Sequence, residues 1–128
     1  MDSLPAPRLR VVDSITELRP GDAGCIAVSG SHGGLSSARY ALAALPALSV
    51  FNDAGVGKDA AGIAGLALLQ QAGLAACAVS HTSARIGQAA STLTDGVVSH
   101  ANEAALAMGF LPGRALAPLI EELARRHP

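Results

Sequence analysis

The single lysine of this chain lies in a stretch whose residues could carry chemistry. Nine residues are Lys or Arg, and Lys58 is the only lysine among them. Its ammonium is a compact point charge whose pKa can fall on burial, so lysine can act as a base, a nucleophile or a phosphate ligand where arginine cannot. Gly55 and Gly57 precede it and would let a substrate approach closely, and Asn52 or Asp53 could assist it. We therefore predict that Lys58 is catalytic; the alternative is a solvated lysine in a turn.

Histidines supply the second set of candidates. Three of the four histidines follow a serine after an apolar, strand-like run, namely His32, His81 and His100. The carboxyl ends of parallel strands lie along one edge of a sheet, and open α/β sheets bind ligands outside that edge. We expect the three to share a site in which His32, His81 and Asp53 transfer protons and His100 contacts the substrate. Three imidazoles could instead hold zinc, but they lack the close spacing of a metal motif, so no metal is predicted.

A glycine-rich stretch after the first long apolar run indicates anion binding. Its candidate residues are Ser29, Gly30, Gly33 and Gly34. Glycines let backbone amides converge ahead of a helix, which is how phosphate and carboxylate groups are often held. Arg85 joins these candidates because a guanidinium can bind a carboxylate through two parallel hydrogen bonds. Neither this stretch nor the lysine segment has a dinucleotide-binding or P-loop pattern, so the predicted ligand is a small anion.

A Ser-His-Asp hydrolase is an alternative catalytic arrangement. Its nucleophile would be Ser29 or Ser31, and its base would be His81 or His100. Asp53 or Asp95 would be the acid that orients the base. The Gly-x-Ser-x-Gly pattern that positions the nucleophile of α/β hydrolases is absent. Ser31 is kept among the predicted catalytic residues.

The composition restricts the class of protein. The chain has 128 residues, enough for one domain with a substantial core, and 50% are hydrophobic although only 2% are aromatic. A net charge of −1, with no basic cluster except Arg125-Arg126, argues against a nucleic-acid partner. Cys25 and Cys77 lie in apolar runs without a CxxC spacing, which predicts buried, reduced thiols. The first residues lack the apolar core of a signal peptide, so we expect a cytoplasmic protein with no membrane span.

Apolar runs alternate with helical patterns, as in a parallel α/β fold. Strands are predicted at 8–12, 25–28, 48–51, 74–79 and 96–98, and helices at 38–45, 60–71, 88–92, 103–108 and 115–126, with a helical turn at 14–17. Residues 1–7 are predicted to be a disordered tail and residues 8–128 a single domain. The expected architecture has three layers and a mostly parallel sheet of four to five strands, Rossmann-like or flavodoxin-like.

These candidates predict a small cytoplasmic enzyme of hydrolase, lyase or isomerase type that uses no organic cofactor. Its substrate would be a small anionic carboxylate or amide, bound by glycine-rich loops at the carboxyl edge of the sheet. The alternative is a non-catalytic subunit that binds a metabolite or a nucleotide within a larger assembly. Gly62 and Gly65 give the helix predicted at 60–71 a smooth face, which favours packing on the sheet or in a homo-oligomer.

Overall fold

The computed structural model describes residues 7–126, which form one five-stranded sheet with helices on both faces. The strands are β1 (Leu9–Val12), β2 (Ile26–His32), β3 (Leu48–Asn52), β4 (Ala75–Val79) and β5 (Val98–Ala101). The first four are parallel, and β5 is antiparallel to β4. The predicted α/β fold with a mostly parallel sheet is confirmed. The predicted tail at 1–7 lies outside the described residues apart from Pro7.

The strands lie side by side in the order in which they occur along the chain, β1-β2-β3-β4-β5. This order has no reversal of the kind that creates the ligand crevice of Rossmann and flavodoxin sheets. β3 and β4 are buried along their whole length because helices cover both faces, which explains the unbroken apolar sequence of β4.

Helices form the outer two layers. Within residues 7–126 they are α1 (Leu35–Ala44), α2 (Ala64–Gln71), α3 (Ala89–Asp95), α4 (Glu103–Ala107) and α5 (Leu116–Arg125), with 3-10 turns at Ile15–Glu17, Pro20–Asp22 and Lys58–Ala60. α1 and α2 pack together on one face of the sheet, where Ala27, Ala76 and Ala78 permit a close approach. α3 and α5 pack together on the other face, against larger side chains such as Val28 and Val50.

The helix predicted at 60–71 begins at Ala64 instead of Ala60. Asp59, the predicted N-cap, has a φ of 57° inside the preceding 3-10 turn. The amide of Gly62 donates to the carbonyl oxygen of Val56 at 2.8 Å, which closes a loop before the helix can start. Gly62 is required at this point because an added Cβ would lie 2.2 Å from the carbonyl oxygen of Asp53. Close internal packing therefore accounts for this glycine.

β2 and β5 differ from the predicted strands in ways that affect the site. β2 continues through residues 29–32, which the sequence pattern predicts to be a loop. Ser99 and His100 lie within β5 instead of following a parallel strand. Because β5 is antiparallel, with His100 opposite Ala78, its start lies at the carboxyl end of β4. His100 thus lies at the expected edge of the sheet for a different reason.

The cysteines are free and buried, as predicted. Burial raises the pKa of both thiols, to about 12 for Cys77, so neither is a thiolate at neutral pH.

Among the helices of residues 7–126, none has the length and apolar character needed to cross a membrane.

Candidate functional site

Asp53 is at the centre of a hydrogen-bonded cluster just beyond the carboxyl end of β3. Its Oδ1 accepts the amide of Gly55 at 2.8 Å and the amide of His81 at 3.0 Å. Its Oδ2 accepts the hydroxyl of Ser99 at 2.8 Å. The amide of Asp53 donates to the carbonyl oxygen of Val79 at the end of β4. Three separate segments of the chain therefore fix this buried carboxyl group.

The surroundings of Asp53 keep it ionised. Burial taken alone would raise the pKa of this carboxyl group, but hydrogen bonds from Gly55, Ser99 and His81 together lower that pKa below its usual value. The cluster therefore contains a buried negative charge at neutral pH. Such a carboxylate can orient a histidine ring and stabilise it when it becomes protonated.

Two imidazoles face this carboxylate through their Nδ1 atoms. Nδ1 of His81 lies 3.3 Å from Oδ1 of Asp53. Nδ1 of His100 lies 3.0 Å from Oγ of Ser99 and 4.0 Å from Oδ2 of Asp53. Because Ser99 donates its proton to the carboxylate, its oxygen accepts the Nδ1 proton of His100. Both neutral rings then carry their proton on Nδ1 and leave Nε2 able to accept another.

Both rings are accessible to a substrate, since the side chain of His81 is 56% exposed and that of His100 is 38% exposed. We call this group the Asp53 cluster; its members are Asp53, His81, Ser99 and His100. The sequence prediction identified all of these residues except Ser99. A hydroxyl between an acid and a base is a pattern that only becomes visible once β5 is placed beside β4.

The loop after β3 surrounds the Asp53 cluster in a conformation that few residues adopt freely. Positive φ angles occur at Ala54, Gly55, Val56, Gly57, Asp59 and Ala60. Val56, at 66°, is strained because its side chain is β-branched. Asn52 holds the start of the loop, because its Oδ1 accepts the amide of Ala54 and its Nδ2 donates to the carbonyl oxygen of Ala84. Asn52 is completely buried, so it supports the loop and is not accessible to a substrate.

A separate cavity of about 350 Å³ lies beside the loop after β3. His32 lines this cavity, and its Nδ1 accepts the amide of Gly34 at 3.0 Å. Gly57 and Ile86 also line it, and they are the sequence neighbours of Lys58 and Arg85. The latter two side chains are exposed, and neither forms a hydrogen bond or an ion pair with any residue in 7–126. The two cationic residues are thus adjacent in sequence to lining residues of this cavity, and they are not themselves part of the lining.

The predicted anion-binding groups of residues 29–34 are used inside the protein. The amides of Gly30, Gly33 and Gly34 donate to the carbonyl oxygen of Asp13, the carbonyl oxygen of Asn52 and the ring of His32, respectively. An added Cβ on Gly30 would lie 2.5 Å from backbone atoms of Gly87 and Gln88. These glycines allow neighbouring segments to pack closely, so an anion at this edge would have to bind through other groups.

The arrangement of a Ser-His-Asp hydrolase is not assembled among the described residues. Ser29 donates to the carbonyl oxygen of Val50, and the hydroxyl of Ser31 accepts the amide of Ile15. Neither serine contacts a ring of the Asp53 cluster, and Asp95 contributes no side-chain hydrogen bond within 7–126. Residues 7–126 also contain no group of three or more His, Cys, Asp or Glu side chains placed to hold a metal ion.

A larger cleft of about 620 Å³ lies between α2 and the segment formed by β5 and α4. Ser99 and His100 line it, so it adjoins the Asp53 cluster. Its apolar lining consists of Ile63, Leu66, Ala67, Ala101, Leu106 and Pro112.

Comparisons of this chain with protein-family models, with curated proteins and with solved structures gave no match.

Proposed function

We propose that the protein is an enzyme of isomerase or lyase type that moves protons on a small carboxylate substrate. The observation that supports this proposal is the Asp53 carboxylate facing Nδ1 of His81 directly and Nδ1 of His100 through Ser99. Each imidazole can use its Nε2 to accept or donate a proton, and a positioned imidazole typically contributes 10²–10⁴-fold to such a step.

Paired bases suit a reaction in which one proton leaves a substrate carbon and another arrives nearby. One neutral imidazole accepts the first proton, and the resulting imidazolium is stabilised by the Asp53 carboxylate. The second imidazole, protonated beforehand, donates to the product. This chemistry requires no serine nucleophile, so it fits the Asp53 cluster, whose serine donates to the carboxylate, better than acyl transfer does.

Substrate binding is assigned to the basic residues beside the smaller cavity. Lys58 and Arg85 contribute positive charge, and His32 contributes a ring nitrogen, for a carboxylate group of the substrate. In this proposal Lys58 is a binding residue, because it lies in an exposed turn and its side chain has no hydrogen-bond or ion-pair partner within 7–126. It therefore differs from the catalytic role expected from the sequence.

The proposal is tested by exchange of carbon-bound protons with deuterated water. A panel of small 2-hydroxy, 2-oxo and 2-amino acids is followed by proton NMR with the wild-type protein. We expect exchange next to the carboxylate of at least one acid, and a decrease of about 10²-fold or more in His81→Gln and in His100→Gln. Lys58→Met should raise the half-saturating concentration while leaving the saturated rate within a few-fold, and Asp59→Asn in the same loop is the control.

Three results would overturn the proposal. One is the absence of exchange with every acid of the panel, and another is exchange that continues unchanged in both histidine variants. A collapse of the saturated rate in Lys58→Met, with binding unchanged, would return the lysine to the catalytic role and remove the histidines from it.

A further inference from the structure

We infer that the cleft between α2 and the β5–α4 segment holds an apolar group of the substrate, which makes the substrate a monocarboxylate with one compact hydrophobic body. This inference rests on the proposed function and adds the chemical class of the substrate. A cleft of about 620 Å³ is within the range of small-molecule sites, and it has room for a compact apolar body such as a benzene ring or a branched alkyl group.

The position of the cleft connects it to the proposed chemistry. His100 and Ser99 form part of its lining, and they also belong to the Asp53 cluster. A molecule seated in the cleft therefore has a polar end within reach of an imidazole. Leu106 on α4 lies on the lining and is 38% exposed, so it leaves an apolar surface that water covers at a cost in free energy.

The polar residues of the lining do not favour a second charged group. Both ends of the Asn102 amide are used, because Oδ1 accepts the amides of Ala76 and Ala105 while Nδ2 donates to the carbonyl oxygens of Leu66 and Leu74. Oε1 of Gln70 accepts the amide of Ala104. The remaining charge is the exposed carboxylate of Glu103, which repels a carboxylate inside the cleft. A dicarboxylate would therefore bind poorly there.

Binding is measured with three probes by two-dimensional NMR of the backbone amides. Phenylacetate carries a ring and one carboxylate, succinate carries two carboxylates, and benzyl alcohol carries a ring without a charge. We expect phenylacetate to shift the amides of Leu66, Ala101 and Leu106, and to bind at least tenfold more tightly than succinate because its ring leaves water. Benzyl alcohol should bind at the same place more weakly than phenylacetate.

A pair of matched variants locates the binding. Ala67→Phe places a ring in the cleft from an exposed helical position, and Ala43→Phe makes the same change at an exposed position of α1 outside the cleft. We expect the first to weaken phenylacetate binding at least tenfold and the second to leave it unchanged. Equal affinities for phenylacetate and succinate, or insensitivity to Ala67→Phe, would overturn the inference.

The outcomes separate this inference from the proposed function. If phenylacetate does not bind in the cleft but smaller acids still show histidine-dependent proton exchange, only the substrate class is overturned. Binding in the cleft without exchange of any acid removes the proposed reaction and with it the description of the ligand as a substrate. A fall in the mass measured by light scattering on Ala67→Phe would show that a second copy of the chain occupies the cleft, and that also overturns the inference.

Discussion

At the scale of single residues, the main feature is a buried carboxylate that is stabilised by its hydrogen bonds. Asp53 accepts two backbone amides and one hydroxyl, and these bonds outweigh the effect of burial on its pKa. Removing the charge should therefore affect stability as well as function. Because the pKa of this carboxyl group is lowered, its contribution to stability should be lost at low pH.

Asp53→Asn is expected to lower the free energy of unfolding by about 1–3 kcal/mol at pH 7, because several buried donors lose a charged acceptor. The folded-state pKa of Asp53 lies below the unfolded value of about 3.9. Its contribution is therefore present above about pH 4 and is lost as the pH falls through the folded-state pKa. Urea unfolding between pH 7 and pH 2.5 should show the gap between wild type and variant closing below about pH 4.

The control for this experiment is Asp59→Asn, because Asp59 is exposed and has no side-chain hydrogen bond within 7–126. Its unfolding curves should follow the wild type at every pH. Asp22 also has a lowered pKa, first through the hydrogen bond from the amide of Arg19, but it is present in both proteins and cancels from the comparison. A gap for Asp53→Asn that stays constant with pH would contradict the prediction.

At the scale of elements, the contact between α1 and α2 determines where the loops of the site lie. Gly65 on α2 lies against the turn that precedes α1, and its amide donates to the carbonyl oxygen of Gly33 at 2.8 Å. An added Cβ would lie 2.5 Å from the carbonyl oxygen of Gly34 and 2.7 Å from Cβ of Ala38. The neighbouring atoms belong mainly to backbone, which cannot move aside without displacing His32.

Gly65→Ala is therefore expected to lower the free energy of unfolding by about 1–3 kcal/mol through overpacking, despite the helix propensity that alanine gains. Gly21→Ala is the matched control, since no atom lies within 4 Å of its added Cβ and its φ is not positive. That change should raise stability by about 0.4–1 kcal/mol through the unfolded state. Chemical denaturation of both variants checks the pair, and a neutral Gly65→Ala would refute the close contact.

The glycines at the start of α2 also explain why the predicted homo-oligomer interface stays a prediction. A smooth helix face at Gly62 and Gly65 fits an oligomer or an internal contact equally well. The structure fills the space beside both glycines with backbone atoms of the same chain. Gly62→Leu would consequently disturb the fold before it tested any interface.

At the scale of the whole molecule, the sequence predicts the sheet better than the site. Short unbroken apolar runs such as Ala75–Val79 favour buried strands, so the layers and most strand positions follow from the burial pattern. The direction of β5 depends on tertiary pairing, and the loop with Val56 at positive φ violates local preference. Ser99 joins the Asp53 cluster through the direction of β5, and Lys58 is exposed in the turn of this loop. Sequence patterns report neither feature, so the catalytic role predicted for Lys58 stays a prediction that the exchange experiment tests.

A final prediction concerns the cooperativity of the molecule as a whole, with Cys77 as its reporter. Cys77 is fully buried in β4 between two neighbouring strands, and burial raises its pKa to about 12. In a Cys25→Ala background, iodoacetamide should modify Cys77 only through global unfolding, at least about 10³-fold more slowly than in the unfolded chain. The rate should rise with urea with the same slope as the equilibrium unfolding constant. A labelling rate with little dependence on urea would instead indicate that the β4–β5 pair opens locally, beside the very cluster that the proposed chemistry needs to keep fixed.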